Sequence, residues 1–338
     1  MKKTIALTGG GTAGHIMPNI ALIPTLKKHF NNIIYIGGDG LEKELVPKYN
    51  LPFFSTDVVK FSRQKPFSNL KIPFVLNSGK KQAKEILLEH NVDVVFSKGG
   101  YASLPACYSA KALGIPVVTH ESDFSLGLAN KLIGRFATKV LTSFPETKGG
   151  ILTGNPIREE LFNGSAMRAK TNYKLGAKPV LLIFGGSLGA QSINNAVYSA
   201  IDDLTKIFHV VHIAGKNPKD ITKSGYTLLK YAHDMNDLYA AASVVVIRGG
   251  ANSLAETAAL GKRTICIPLP KGNSRGDQVE NAKSFSNLNL TNILYQDDLT
   301  PKSLIDLTTK TLNSPPPKAQ KNLANQKIVD EIVDCLNH

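Results

Sequence analysis

The 338-residue chain has only three cysteines, Cys107, Cys266 and Cys335, far apart and without CxxC spacing, which excludes a disulfide framework and a zinc site. No apolar run reaches the ~18 residues that a membrane-spanning helix needs. The amino terminus offers Lys2, Lys3 and a short apolar stretch before the first glycines, too little for a secretory signal. Low-complexity tracts and short-period repeats are absent. No GxxxxGK[ST] occurs, which removes a P-loop, and no GxGxxG followed by a well-spaced acid, which disfavours a nicotinamide dehydrogenase. Asp39, Asp93 and the Asp297–Asp298 pair lack metal-ligand spacing, so neither a metal nor a cofactor is expected. These absences predict a soluble, reduced protein inside the cell. Its length predicts two domains, since single cores seldom grow beyond about 250–300 residues.

What is present is a glycine-rich turn that recurs after apolar strands. TIALT (4–8) runs into GGGTAGH, Gly9 to His15, and VLLIF (180–184) runs into GGSLGA, Gly185 to Ala190. A third run, VVVI (244–247), ends in RGGANSLAE, Arg248 to Glu256. A buried strand opening through glycines into a helix offers backbone N–H groups and a positive dipole end at one spot, which suits a phosphate. Two such units half a chain apart predict two α/β domains and a phosphorylated ligand held between them.

The rest of the chain alternates in the same way. Strand-like runs at 5–8, 32–37, 92–97, 116–120 and 139–144 are separated by helix-length stretches such as 17–29 and 103–113. A second series follows at 180–184, 208–215, 227–232, 243–248 and 263–268. This pattern predicts βαβ crossovers and one parallel sheet per half. The break falls at TGNPIREEL (153–161). An amphipathic tail after Pro315–Pro317 has the pattern of a helix that packs back on the first domain.

The net charge of +14 is concentrated before residue 158. Residues 58–84 hold seven basic side chains (Lys60, Arg63, Lys65, Lys71, Lys80, Lys81, Lys84), no acid, and the apolar Phe61, Phe67, Leu70, Ile72, Phe74, Val75 and Leu76. Interleaved basic and bulky apolar residues suit an anionic membrane face. The competing reading is a solvated basic loop whose phenylalanines are core. Nucleic acid is not the expected partner, because no helix-turn-helix, RRM or zinc pattern accompanies the charge.

Several side chains stand where an open α/β sheet binds ligands, at the carboxyl ends of strands. His15 sits where the first glycine turn becomes a helix and is a candidate acid/base. His120, Glu121, Ser122 and Asp123 follow the strand PVVT; the alternative is helix capping by Ser122 or Asp123. Glu256 lies in the first turns of the helix after Gly250, where a carboxylate can accept two ribose hydroxyls. Arg158, just past the break, can meet a diphosphate. Asp277, Gln278 and Asn281 mark a loop-to-helix entry, by themselves a capping pattern.

Taken in order, these motifs resemble the MurG family of peripheral membrane glycosyltransferases. The resemblance covers nearly the whole chain: GGGTAGH (9–15), KGGYASLPA (98–106), HESD (120–123) with GLANK (127–131), TGNPIREEL (153–161), GGSLGA (185–190), RGGANSLAE (248–256) and GDQVENA (276–282). It implies an α/β fold of the GT-B type, two Rossmann-like parallel-sheet domains with an interdomain cleft: residues 1–157 for acceptor and membrane, 158–317 for the donor, and a tail at 318–338 returning to the first. It implies transfer of N-acetylglucosamine (GlcNAc) from UDP-GlcNAc to undecaprenyl-diphosphate-linked N-acetylmuramoyl-pentapeptide (lipid I) at the cytoplasmic face of the cell membrane.

The resemblance also implies roles. Ser187 meets the phosphates, Glu256 the ribose, and Ala251, Asn252, Ser253 and Leu254 the adjoining nucleotide. Arg158 faces the diphosphate and Gln278 the donor sugar, while Thr12, Ala13, Gly14 and His15 close over the reacting centre. Lys60, Phe61, Arg63, Phe67, Leu70 and Phe74 fall where the family docks on anionic lipid. The chain departs from the commoner HEQN and GGSQGA: Asp123 stands for an asparagine that contacts the donor sugar, Leu188 for a glutamine in the phosphate loop, and Asp277 for a histidine. The expected chemistry is one inverting displacement, with His15 as first choice of base and Glu121 or Asp123 as alternatives. Two rivals are a different UDP-sugar enzyme, such as an epimerase or a transferase for a soluble acceptor, and a non-catalytic membrane adaptor or nucleic-acid binder.

Overall fold

Apolar runs such as TIALT and VLLIF bury every residue, the signature of strands covered on both faces in a parallel sheet. The computed structural model describes residues 3–59, 71–186, 189–216, 218–272, 276–321 and 323–336. Lys60, Phe61, Arg63, Phe67 and Leu70 of the basic segment, and Ser187 and Leu188 of the second glycine turn, lie outside the described residues. The chain divides into two units, one of residues up to Arg158 with those from Leu323 onward, the other of Glu159–Asn322.

The first unit begins with β1 (Thr4–Thr8), α1 (Ala13–Leu26), β2 (Asn32–Gly37), α2 (Leu41–Leu45) and β3 (Phe53–Ser55). It continues with α3 (Ile72–Glu89), β4 (Val94–Ser97), α4 (Leu104–Ala112), β5 (Val117–Glu121), α5 (Leu128–Ile133), β6 (Lys139–Thr142) and β7 (Ile151–Leu152). Its seven strands are parallel in the order β3-β2-β1-β4-β5-β6-β7. Ile5 lies beside Ile33 on one flank and Val94 on the other. The order reverses between β1 and β4, so connections leave in opposite directions there and open a crevice at the strands' carboxyl ends.

The second unit runs through α6 (Ala166–Asn172), β8 (Val180–Phe184), α7 (Gln191–Ile207), β9 (His209–Ile213), β10 (Tyr226–Leu229), α8 (Met235–Ala241) and β11 (Ala242–Ile247). Then come α9 (Ala251–Ala259), β12 (Thr264–Cys266), α10 (Asp277–Asn287), β13 (Asn292–Ile293) and α11 (Pro301–Asn313). Its sheet is parallel too, ordered β10-β9-β8-β11-β12-β13, and reverses between β8 and β11. On α7 the residues Ile193, Val197, Ile201 and Leu204 recur every three or four positions and are buried on one side of the helix.

The last helix, α12 (Ala324–Asp334), belongs to the first unit. Ile328, Val329 and Ile332 are buried in the same core as Ile16, Leu22 and Leu26 of α1. Asn325 holds the segment before Arg158: its Oδ1 accepts from Ile157 N (3.0 Å) and its Nδ2 donates to Ile157 O (2.8 Å).

The unit boundaries differ a little from those read in the sequence. Arg158 lies in the first unit, not at the head of the second. Residues 318–321 stay with the second, where Gln320 N donates to Ala258 O at 3.0 Å. The helix expected at 17–29 starts at Ala13 and carries Pro18 and Pro24 inside it. Burial of Ile16, Pro18, Ile20, Leu22 and Ile23 along α1 holds it together despite the two missing N–H donors. Among the described residues no helix is long and apolar enough to cross a membrane. The three cysteines are unpaired and buried, and burial pushes the Cys107 and Cys266 thiols up to about 12.

Candidate functional site

The first glycine turn is braced from beneath. Glu42, fully buried on α2, accepts from Gly11 N at 2.9 Å through Oε2 and from Gly38 N at 3.1 Å through Oε1. Tyr35 donates its hydroxyl to Gly9 O at 2.6 Å, and Asn19 Nδ2 donates to Thr8 O and to the Tyr35 hydroxyl, each at 3.1 Å. This corrects one expectation. The Gly11 N–H is not offered to a phosphate, because a protein carboxylate already occupies it. What the turn does present is His15, half-buried in the first turn of α1. Its Nδ1 lies 3.1 Å from Gly10 O and 3.2 Å from Thr12 Oγ1. A carbonyl oxygen only accepts, so the ring donates to Gly10 O through Nδ1–H. Thr12, Ala13 and Gly14 lie at the surface or partly exposed beside it.

The ends of β4 and β5 supply the next layer. Lys98 follows β4 and is only 2% exposed. Its Nζ donates to Ser122 Oγ at 2.7 Å and to His120 Nδ1 in a short bond. The His120 Nε2–H donates to Gly154 O at 2.9 Å, so this ring is neutral, and burial with the Lys98 charge beside it holds its pKa well below the usual range. Burial pulls the Lys98 ammonium down to about 7, against the charges of Glu121 and Asp123.

Glu121, an alternative base in the sequence reading, has both carboxylate oxygens engaged. Oε1 accepts from Asp123 N at 3.0 Å, and Oε2 accepts from Gly127 N and Asn130 Nδ2, both at 2.8 Å. It is 6% exposed and shapes the 121–130 loop. Both Glu121 oxygens thus hold the 121–130 loop in its fold. Asp123 is half-buried one turn further on. Arg158 is also half-buried, at the end of the 153–158 segment fastened by Asn325.

In the second unit the three predicted motifs follow three consecutive strands, β8, β11 and β12. The turn after β8 packs closely: a Cβ on Gly189, whose φ is +79°, would stand 2.2 Å from Ala214 O. α7 and α9 both begin without a side-chain cap hydrogen bond. α9 carries Ala251, Asn252, Ser253, Leu254 and Glu256. The buried Tyr239 hydroxyl donates to Glu256 Oε2 at 3.0 Å and orients that carboxylate. Gln278, on α10, accepts through Oε1 from Leu269 N at 3.0 Å, which leaves its NH2 donors as the end for a ligand oxygen. The buried Asn281 Nδ2 donates to Gly249 O at 3.0 Å and pins the loop opposite.

Sequence reasoning did not single out Arg248. Its Nη2 donates to Ser192 Oγ (2.6 Å) and Gln296 Oε1 (2.9 Å), and Nη1 donates to Ile267 O (3.0 Å). Burial with no carboxylate among these acceptors lowers its pKa. Lys98, Glu42, Tyr35 and Asn19 were missed as well. Lys98 was visible only as the first letter of KGGYASLPA.

The site residues therefore group by unit: Thr12–His15, Lys98, His120–Asp123 and Arg158 in the first, and the β8 turn, Arg248–Glu256 and Gln278 in the second. The sequence pattern of the Glycosyltransferase family 28 N-terminal domain matches residues 5–142, and that of the Glycosyltransferase family 28 C-terminal domain matches residues 180–335. A protein of Geobacillus thermodenitrificans (strain NG80-2) named UDP-N-acetylglucosamine--N-acetylmuramyl-(pentapeptide) pyrophosphoryl-undecaprenol N-acetylglucosamine transferase is 42% identical over 317 residues, covering 90% of this chain and 89% of that one. A protein of the same name from Clostridium tetani (strain Massachusetts / E88) is 39% identical, covering 99% of this chain and 98% of its own. The crystal structure of Acinetobacter baumannii MurG matches with a TM-score of 0.70 at 24% identity, over 98% of this chain and 99% of that one. At that identity the structural likeness speaks for the fold, which is GT-B.

Proposed function

We infer the reaction from kinship and site together: the chain belongs to glycosyltransferase family 28, among the UDP-N-acetylglucosamine–N-acetylmuramyl-(pentapeptide) pyrophosphoryl-undecaprenol N-acetylglucosamine transferases. It moves GlcNAc from UDP-GlcNAc to the lipid-diphosphate-linked N-acetylmuramoyl pentapeptide. The observation that carries the residue roles is the pair of sheet reversals, each bordered by a glycine turn and by side chains of matching chemistry.

The second unit binds the donor. Glu256, steered by Tyr239, accepts from the ribose hydroxyls, and Ala251–Leu254 flank the nucleotide at the start of α9. The turn containing Ser187 and the start of α7 meet the phosphates, and the Gln278 NH2 donates to the sugar. In the first unit His15 Nε2 takes the proton from the attacking sugar hydroxyl of the acceptor, with Asp123 as the second choice. That oxygen bonds to the anomeric carbon from the face opposite UDP, the C1–O bond to the β-phosphate breaks with its electron pair leaving on UDP, and the new linkage is β-1,4. The charge on departing UDP is met by N–H groups, a helix dipole and the Arg158 guanidinium. Thr12, Ala13 and Gly14 line the same turn as His15.

Calorimetric titration tests the donor half. UDP-GlcNAc and UDP bind with the same stoichiometry and ADP-glucose does not; equal binding of ADP-glucose, or none of UDP, removes the donor assignment and favours the adaptor reading.

We also assign membrane association to the basic segment 60–76. Phe74, at the start of α3, is 80% exposed, which removes it from the core reading, and Lys71, Lys81 and Lys84 are exposed in or beside that helix. Each such cation contributes about 1 kcal/mol at an anionic surface. Phosphatidylglycerol vesicles are expected to pellet the protein at low salt and to release most of a Phe74→Ser, Lys71→Gln variant. Retention of that variant equal to wild type places the contact elsewhere.

A further inference from the structure

A buried carboxylate is costly unless hydrogen bonds satisfy it. Glu42 is fully buried on α2, and backbone N–H groups meet both of its oxygens, Gly11 at Oε2 and Gly38 at Oε1. The chain closes on this carboxylate. A Cβ on Gly10 would run into it, and one on Gly40 would stand 2.9 Å from Oε2. The Gly11 N–H and the Gly10 C=O belong to one planar peptide unit, so they cannot turn independently. Glu42 holds that unit by its N–H at 2.9 Å, and His15 Nδ1 donates to its oxygen at 3.1 Å. Gly100 packs behind the same oxygen, where a Cβ would stand 2.7 Å from it. Tyr35, fully buried on β2, adds a second brace. Its hydroxyl donates to Gly9 O at 2.6 Å and accepts from Asn19 Nδ2 at 3.1 Å, and Asn19 lies one helical turn past His15 on α1.

We propose that Glu42, with Tyr35 beside it, is a positioning residue for His15: the carboxylate locks the Gly10–Gly11 peptide, and the Gly10 carbonyl in turn fixes the Nδ1 side of the imidazole, which aims Nε2 at the acceptor hydroxyl. Both side chains are fully buried, so they act through the turn and not by touching substrate. The proposal rests on the glycosyl-transfer reading above and adds to it the device that orients the base.

Four full-length proteins test it: wild type, Glu42→Gln, His15→Ala and the double variant, each measured for GlcNAc transfer to a lipid I analogue, UDP affinity and unfolding in urea. Glu42→Gln keeps the shape of the side chain, but whichever way its amide turns, an NH2 faces one of the two backbone N–H donors. It is expected to lower kcat by about tenfold or more, with UDP affinity within about threefold of wild type. In the His15→Ala background the same substitution is expected to remove less than about threefold more, because the group it orients is already gone. Losses in kcat that multiply overturn the proposal, since Glu42 then supports the fold in general. Wild-type turnover in Glu42→Gln overturns it, and so does wild-type turnover in His15→Ala, which leaves no base to orient. A loss of UDP affinity in step with kcat overturns it too. Should Glu42→Gln fail to fold, Tyr35→Phe, which removes only the hydroxyl bonded to Gly9 and Asn19, takes its place in the cycle under the same criteria. If wild type binds UDP and moves no sugar to the lipid acceptor, the glycosyl-transfer reading fails and the positioning role falls with it.

Discussion

Replacing His15 by alanine lowers kcat for GlcNAc transfer by about 10²–10⁴-fold, the span general-base catalysis supplies, while UDP affinity stays as in wild type. The separation of the two effects follows from the architecture. His15 stands at the end of β1 in the first unit, whereas the groups assigned to the nucleotide follow β8, β11 and β12 in the second. In the neutral ring the Nδ1–H bond to Gly10 O makes Nε2 the basic nitrogen of His15. His15→Gln, which keeps a polar side chain but no basic nitrogen, is expected to be about as slow as the alanine variant. Turnover of His15→Ala within a few-fold of wild type removes His15 from the base role and leaves Asp123 as the candidate.

The second large effect is on binding. Glu256→Gln weakens UDP by about 10²-fold or more, because hydrogen bonds to a charged acceptor contribute about 1.5–3 kcal/mol each and two ribose hydroxyls lose theirs. A nucleotide control makes the reading specific. Wild type discriminates against 2′-deoxy-UDP, and the Glu256→Gln variant does so far less. Tyr239→Phe, which only releases the carboxylate from its 3.0 Å hydrogen bond, costs about fivefold, near 1 kcal/mol. If Glu256→Gln binds UDP normally and still rejects the deoxynucleotide, the ribose is held by other groups.

Much of this architecture is legible in the sequence because parallel strands announce themselves. β1, β4, β5, β8 and β11 are continuous apolar runs that end at glycine or at polar residues, and the side chains placed just after them fall at one edge of each sheet. Glu256 is legible for a similar reason, since its helix begins where Gly250 ends the strand's continuation. The edge strands β3, β7 and β13 are not, because two or three residues carry no alternation.

The support beneath the site is hidden for a different reason. Glu42 accepts from Gly11 across 31 residues of chain, and Lys98 meets Ser122 across 24. Nothing local marks a partner that the fold brings in from another strand. A buried acid under a glycine turn even reverses the local expectation: the turn looks like a phosphate cradle until the carboxylate that fills it is seen. Glu121 shows the same limit. Its type and place suit a base, and only the geometry reveals that its oxygens are spent on Asp123, Gly127 and Asn130.

The central claim is transfer of GlcNAc to a lipid-diphosphate acceptor, and the most direct test follows labelled sugar from UDP-GlcNAc to a lipid I analogue, with a matched soluble muramoyl peptide beside it. Label appearing on the lipid-linked acceptor in β linkage, with little on the soluble one, is the expected result. Donor binding with no sugar moved to the lipid acceptor, or equal transfer to the soluble peptide, contradicts it.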